Sequence, residues 1–438
     1  MTTPSRAELR EWAANLRPDV PLDVGDPEDA ARYVQLAEAA RGEVDDMQAT
    51  IELAYTATTQ LLTGPSGSGK TTELYRLRRD LQEIGYAATV VPITDYVSES
   101  SPLDITEFLI ALAVGAHDAL GGKPDLPSFV ARLGGLLRRL NVDLDIAGVT
   151  AKVSAEGIEL GAGGATVGLN LGDEIKASRP FVEQLRHKLS YHLKPLYDEV
   201  STFLADLVPA NELAGAVLIV DGLEKLRGTS DDDVDVQRSV EALFVNHASK
   251  LRFASHHMVY TVPTYLQFIS PGALPFDSRQ FVPVPHLRAH GGGRDATSDR
   301  NMEELREVVR RRIPVDRIFG DADLLDEILL ASGGHLRDIF RILLQLMNLT
   351  LRLGLDLPVI REHVFEGISL VARGFATVTR EQADFLRKVD MAGGAIEPDE
   401  DTVQLMARLL QSHMLLAHRN GEEWYEVHPL ARRALDLP

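Results

Sequence analysis

Short apolar runs rich in β-branched residues recur along this chain, separated by stretches whose apolar residues fall at helical spacing. Five runs read as strands: "TQLLTG" closing at Gly64, "AATVVPIT" (Ala87–Thr94), "AVLIVDG" (Ala216–Gly222), "HMVYTVP" (His257–Pro263) and "QFVPVPHL" (Gln280–Leu287). Strands that are apolar throughout, with helical segments between them, predict a parallel sheet covered on both faces. The fold class is therefore α/β.

Between the second and third strands the pattern departs from a single crossover helix. Helical runs at Ile105–Leu120 and Phe181–Leu207 flank a segment, Val142–Ile175, in which apolar and polar residues alternate with glycine breaks. That alternation predicts β-hairpins, so an α/β insertion, about 97–212, interrupts the core.

After the fifth strand comes a glycine-rich loop, "RAHGGGRDATSD", and then four helical stretches. The third places Ile339, Ile342, Leu343, Leu346 and Leu349 on one stripe. Two further helices follow, "TREQADFLRKVDMAGG" and "EDTVQLMARLLQSH". Two short strands around Asn420–Gly421 then give a hairpin signal, and a last helix closes the chain. Helices followed by a β-hairpin predict a winged helix. The pattern divides the chain into a helical N-terminal segment (1–53), a core (54–290, with the β-rich part of its insertion at 142–175), a helical lid (298–374) and a winged-helix domain (375–438).

Composition narrows the chemistry. The 438 residues are 45% hydrophobic and 25% charged, the profile of a globular chain able to bury a substantial core. The formal net charge of −20 opposes a chain whose main task is coating nucleic acid, and leans toward protein partners. No cysteine is present, which excludes disulfides, thiolate catalysis and cysteine-based zinc or iron–sulfur sites. The N-terminus lacks an apolar signal region, and no uninterrupted apolar run is long enough to span a bilayer. A cytoplasmic location is expected. His256 and His257 show no paired-ligand spacing and read as structural, so no metal beyond Mg²⁺ is expected.

The first strand runs into "GPSGSGKT", which fits G-x-x-x-x-G-K-[ST] as Gly64, Gly69, Lys70 and Thr71. In such a loop, formed here by Gly64, Pro65, Ser66, Gly67, Ser68, Gly69, Lys70, Thr71 and Thr72, backbone N–H groups turn around a phosphate. Lys70 reaches the β- and γ-oxygens, and the Thr71 hydroxyl can ligate Mg²⁺. The helix that follows carries Leu74, Leu77 and Leu81 and stops at Gly85. Asp221 ends the third strand, where the crevice of a parallel sheet opens, and is the expected second Mg²⁺ contact. Gly222, rather than a second acid, comes next; Glu224 is the nearest carboxylate and the candidate to orient water.

With these parts in place the chain resembles an AAA+ or STAND-type P-loop ATPase, in particular origin-recognition initiators and bacterial STAND signalling ATPases. The resemblance runs from Gln60 to the C-terminus except for the insertion. It implies ATP and Mg²⁺ as ligands. It also implies a polar sensor at the tip of the fourth strand (Thr264, with Thr261 beside it), an arginine finger at Arg279 and a sensor arginine at Arg337 in "SGGHLRD". A finger donated by a neighbouring subunit is worth ~10³–10⁵ in rate in related enzymes, so the resemblance points to a homo-oligomer. Gly222 after Asp221 and the β-containing insertion depart from the family pattern.

Three functions fit. The first is a regulatory ATPase whose nucleotide state controls oligomerisation or a separate protein effector, in bacterial signalling or phage defence. The second is a DNA-binding initiator, for which Arg408, Arg419, Arg432 and Arg433 are candidate contacts opposed by Glu422, Glu423 and Glu426. The third is a scaffold stabilised by nucleotide without turnover.

Overall fold

The computed structural model describes residues 2–36, 41–120, 189–208, 214–227, 233–268, 274–288, 295–394, 402–420 and 422–437, with shorter pieces between 132 and 160 and at 293 and 396. The chain divides into two units. One comprises Met1–Asp46, Thr63–Arg76 and Phe281–Pro438; the other comprises Met47–Leu62 and Leu77–Gln280.

The second unit is organised by a five-stranded parallel sheet. Its strands are β1 (Thr59–Thr63), β2 (Tyr86–Pro92), then β6 (Gly215–Asp221), β7 (His257–Thr261) and β8 (Ser278–Phe281), in the spatial order β2-β6-β7-β1-β8. The register is explicit: Leu62 stands beside Thr261, and Val220 beside Tyr260. The carboxyl ends of β1, β6 and β7 therefore lie along one edge. β1, β6 and β7 are buried throughout their middles, as their unbroken apolar runs require, whereas the edge strand β8 exposes Arg279. Gln60, a polar side chain in the buried centre of β1, donates from Nε2 to the Met47 carbonyl at 3.0 Å.

Helix α5 (Ile105–Ala119), capped by Asp104, lies against β2, with α6 (Leu193–Leu207) beside it, and α7 (Asp233–Val245) links β6 to β7. Gly115 permits the close approach, since a Cβ there would come within 2.5 Å of Val91. The expected hairpins exist as a three-stranded antiparallel sheet: β3 (Leu144–Ile146), β4 (Val149–Ser154) and β5 (Gly157–Leu160). The rest of the expected β-rich segment, 161–175, lies outside the described residues. So do residues 181–188 of the expected helix and residues 289–292 and 294 of the glycine-rich loop.

In the first unit, helices α8 (Ala296–Arg310), α10 (Ala322–Ser332), α11 (Leu336–Leu353) and α12 (Arg361–Ala372) pack together, with the single turn α9 (Val315–Ile318) between the first two. The α11 stripe is buried as its spacing predicts, with Ile339, Ile342, Leu343 and Leu346 fully enclosed. Burial of one such side chain contributes roughly 1.5–3 kcal/mol. Helices α13 (Arg380–Met391) and α14 (Val403–Gln411) precede the antiparallel hairpin β9 (Leu415–Asn420) and β10 (Glu422–Val427), and α15 (Pro429–Ala434) follows. Three N-terminal helices, α1 (Arg6–Asn15), α2 (Pro27–Arg32) and α3 (Arg41–Glu52), complete the elements used below, with α4 (Lys70–Glu83) after the phosphate loop.

The fifth strand is shorter than its apolar run and starts earlier, at Ser278. Pro283 and Pro285 have no N–H to offer a ladder. The one donor between them, Val284 N–H, goes to the Ala417 carbonyl of β9 at 2.8 Å. Among the described residues, no helix is long and apolar enough to cross a membrane.

Candidate nucleotide site

The loop after β1 is shaped by its glycines. Gly64, Gly67 and Gly69 have φ of 152°, 84° and 94°, a range that residues with a Cβ adopt only under strain. A Cβ on Gly64 would stand 2.6 Å from the Val282 carbonyl. One on Gly67 would meet Arg337 Cβ at 2.8 Å and His335 Nε2 at 2.9 Å. Lys70 is buried and donates from Nζ to the Gly64 and Pro65 carbonyls at 3.0 and 2.8 Å, so its ammonium is folded back over the loop. Thr71 and Thr72 open α4, and the Thr72 hydroxyl accepts from the Leu22 N–H at 3.1 Å.

One turn along α4, Glu73 accepts from the Tyr33 hydroxyl and from Arg76, both at 2.8 Å. Arg76 also pairs with Asp45 at 2.8 Å. Burial disfavours the Arg76 charge, but Glu73 and Asp45 outweigh it and hold the guanidinium above its ordinary range. The N-terminal segment is thereby fastened to the helix that follows the loop.

Helix α11 supplies the loop's other neighbours. Arg337 donates to the Ser66 hydroxyl at 2.8 Å and pairs with Asp19 at 3.2 Å. His335 places Nε2 2.7 Å from the Ser66 carbonyl and Nδ1 2.7 Å from Asp338. Asp338 is also 3.2 Å from His428 Nε2 and 3.1 Å from Arg341. Burial works against its ionisation, yet the hydrogen bond from His335 and the closeness of His428 prevail and keep its carboxyl well below the usual carboxylate range. The motif reading named Arg337 alone in this group. His335, Asp338 and His428 carry no local pattern that would have drawn attention to them.

The second unit holds the remaining expected residues. Asp221 ends β6 and is buried, with the Lys225 ammonium 3.7 Å from Oδ2. Gly222 follows with φ 110°, and its N–H donates to the Thr261 hydroxyl at 2.7 Å. Thr261 therefore fixes the turn after Asp221. Thr264, the sensor candidate, is buried at the start of a 3₁₀ turn, Thr264–Phe268. Glu224 is half-buried in the turn Leu223–Lys225, and Arg279 is exposed on β8. The Thr71 hydroxyl in the first unit and the Asp221 carboxylate in the second are each hard oxygen donors of the type Mg²⁺ takes.

A parallel sheet of this order, with G-x-x-x-x-G-K-T between β1 and α4 and an aspartate closing β6, is the P-loop nucleoside-triphosphatase fold. No family profile matches the chain, and no curated protein does. Among solved structures it is similar to the Aeropyrum pernix Orc1 protein in complex with DNA, at 12% identity and TM-score 0.39, covering 97% of this chain and 96% of that one. It is also similar to a Thermotoga maritima RuvB variant, at 12% identity and TM-score 0.37, covering 93% and 98%. Likenesses this loose say nothing of activity or partners.

Proposed function

We propose that the chain binds ATP with Mg²⁺ at the loop Gly64–Thr72 and acts as a nucleotide-controlled switch with ATPase activity. The observation that carries this reading is the pair of contacts from the head of α11 to Ser66. Groups of the helical region lie directly on the phosphate loop, so a change of phosphates there shifts their partners. In this reading Thr71 and Asp221 hold Mg²⁺, which neutralises charge on the phosphates. Lys70 binds the β- and γ-oxygens, and Glu224 orients water. Thr264 senses the γ-phosphate, and Arg279 acts in an oligomer.

A DNA-binding role is the weaker reading. Three of its four candidate arginines are engaged within the chain: Arg419 pairs with Glu43 and Glu423, Arg432 with Asp390, and Arg433 lies 3.8 Å over the Phe365 ring. A partner protein or a second copy of the chain is the better-supported target. The test is titration with a fluorescent ATP analogue alongside phosphate-release assays. Binding abolished by Lys70→Ala and turnover abolished by Glu224→Gln are expected. Unchanged affinity in the Lys70 variant overturns the reading; binding without turnover in the wild type leaves a nucleotide-stabilised scaffold.

A further inference from the structure

His335 is fully buried, and both of its ring nitrogens face acceptors. The Ser66 carbonyl has no proton to give, so Nε2 donates to it, and Nδ1 faces the Asp338 carboxylate. At the far side of Asp338, His428 is oriented just as firmly. Its Nδ1 accepts from the Leu430 N–H at 3.0 Å, which leaves its proton on Nε2, the nitrogen that lies 3.2 Å from the Asp338 carboxylate. His335, Asp338 and His428 bring three ligand-type atoms within 4.8 Å of one another. Their hydrogen bonding still argues against a metal, because a ring accepting at Nδ1 and donating at Nε2 keeps no lone pair for a cation. The cluster is a chain of polar contacts: two hydrogen bonds, Ser66 to His335 and His335 to Asp338, and a 3.2 Å electrostatic contact from Asp338 to His428.

The chain starts at a functional peptide. In a trans peptide the C=O and the following N–H point in opposite directions. Holding the Ser66 carbonyl toward His335 therefore turns the Gly67 N–H away from it, and loops of this pattern bind phosphate through such N–H groups. The chain ends in the C-terminal region, where His428 joins β10 to α15. His413, in the turn before β9, stacks on His335 with centroids 4.8 Å apart, and Phe375 packs against both His413 and His428.

We propose that His335, braced by Asp338 and His428, is a positioning residue that aims the Gly67 N–H at the nucleotide phosphates, so that phosphate affinity depends on how the C-terminal segment is seated. The proposal rests on the nucleotide-binding reading. A gain of order in one place then stabilises the other, and the linkage is reciprocal.

The test uses the full chain and the fluorescent diphosphate mant-ADP. Wild type is expected to bind and Lys70→Ala to lose binding; failure here refutes the nucleotide reading itself. Given that binding, His428→Gln is expected to weaken affinity about tenfold without touching the loop, and His335→Ala by a similar factor. The double variant is expected to be no weaker than His335→Ala alone, and His335→Gln, which keeps one N–H for Ser66, to recover part of the loss. Wild-type affinity in His428→Gln, or effects that simply multiply, overturns the proposal. Should the variants fold poorly, hydrogen exchange on the wild type decides: mant-ADP is expected to slow exchange at His428–Ala434, and unchanged exchange there overturns the proposal.

Discussion

Arg337 and Ser66 are joined by a 2.8 Å hydrogen bond from the guanidinium to the hydroxyl, and the same guanidinium pairs with Asp19. Removing it cuts the loop's side-chain tie to α11 and that helix's tie to the N-terminal segment. Charge-assisted hydrogen bonds of this kind are worth roughly 1.5–3 kcal/mol. Arg337→Ala is expected to weaken binding of a fluorescent ATP analogue by about tenfold or more. An affinity within about twofold of wild type, less than the loss of a single ionic hydrogen bond produces, contradicts this.

Lys70 is expected to mark ligand-linked stability. A ligand that binds only the folded chain stabilises it by about 2.7 kcal/mol at a hundredfold excess over Kd. ATP with Mg²⁺ should therefore raise the melting temperature of the wild type by a few degrees and leave Lys70→Ala unmoved. A melting scan with and without ligand checks both halves.

Two helix-terminal glycines separate backbone strain from collision. Gly354 has φ 62° and open space around a hypothetical Cβ, whereas Gly334 has φ 85° and would place a Cβ 2.1 Å from the Pro285 carbonyl. Gly354→Ala is expected to cost about 1 kcal/mol. Gly334→Ala should cost roughly 3 kcal/mol or more, since backbone must shift as well. Urea unfolding of the two variants tests the ranking.

Acid should destabilise the chain through its buried histidines. Burial, then the neighbouring His335, pushes His413 down to about 2 from an ordinary 6.5. Burial likewise lowers His256 to about 4, and it lowers His257 and His428. Below about pH 6.5 the unfolded chain takes up protons that the folded chain refuses. Stability present at neutral pH is thus lost as pH falls from 6.5 toward 4. His413 alone contributes roughly 2 kcal/mol of this loss by pH 5. Melting temperatures recorded from pH 7.5 downward should decline, and a flat profile contradicts the assignment of these rings as buried and neutral.

Duplex DNA is expected to show no salt-dependent binding at low ionic strength, given the pairing of Arg419, Arg432 and Arg433 within the chain. Fluorescence anisotropy across a salt series measures this directly.

What the sequence disclosed was local. Four strands of the sheet were legible because β1, β2, β6 and β7 sit in apolar runs, and the phosphate loop because its glycines, Lys70 and Thr71 are contiguous. Asp221 was legible because it terminates such a run. The end of the fifth strand was misjudged because apolarity continues past Phe281 while ladder donors do not: two prolines intervene. His335, Asp338 and His428 were invisible because their relation is made by folding. An i,i+3 pair at a helix start meets a residue far along the chain, and no period encodes that meeting. Thr261 and Thr264 lay too close together in sequence to distinguish, and the hydrogen bond from Gly222 is what sets Thr261 apart.

The prolines around Val284 have one further effect. Between them the chain offers a single N–H and a single C=O, and β9 takes both, through the Ala417 carbonyl and the His418 ring at 2.8 Å. The stretch leaving the sheet is therefore clamped to the hairpin at Val284, and the His286 ring just beyond packs on Trp424 with centroids 5.1 Å apart. Parting the two means breaking both bonds together, in the manner of a snap fastener rather than a zip, so intermediate openings at Val284 are disfavoured and the hairpin is either seated there or released.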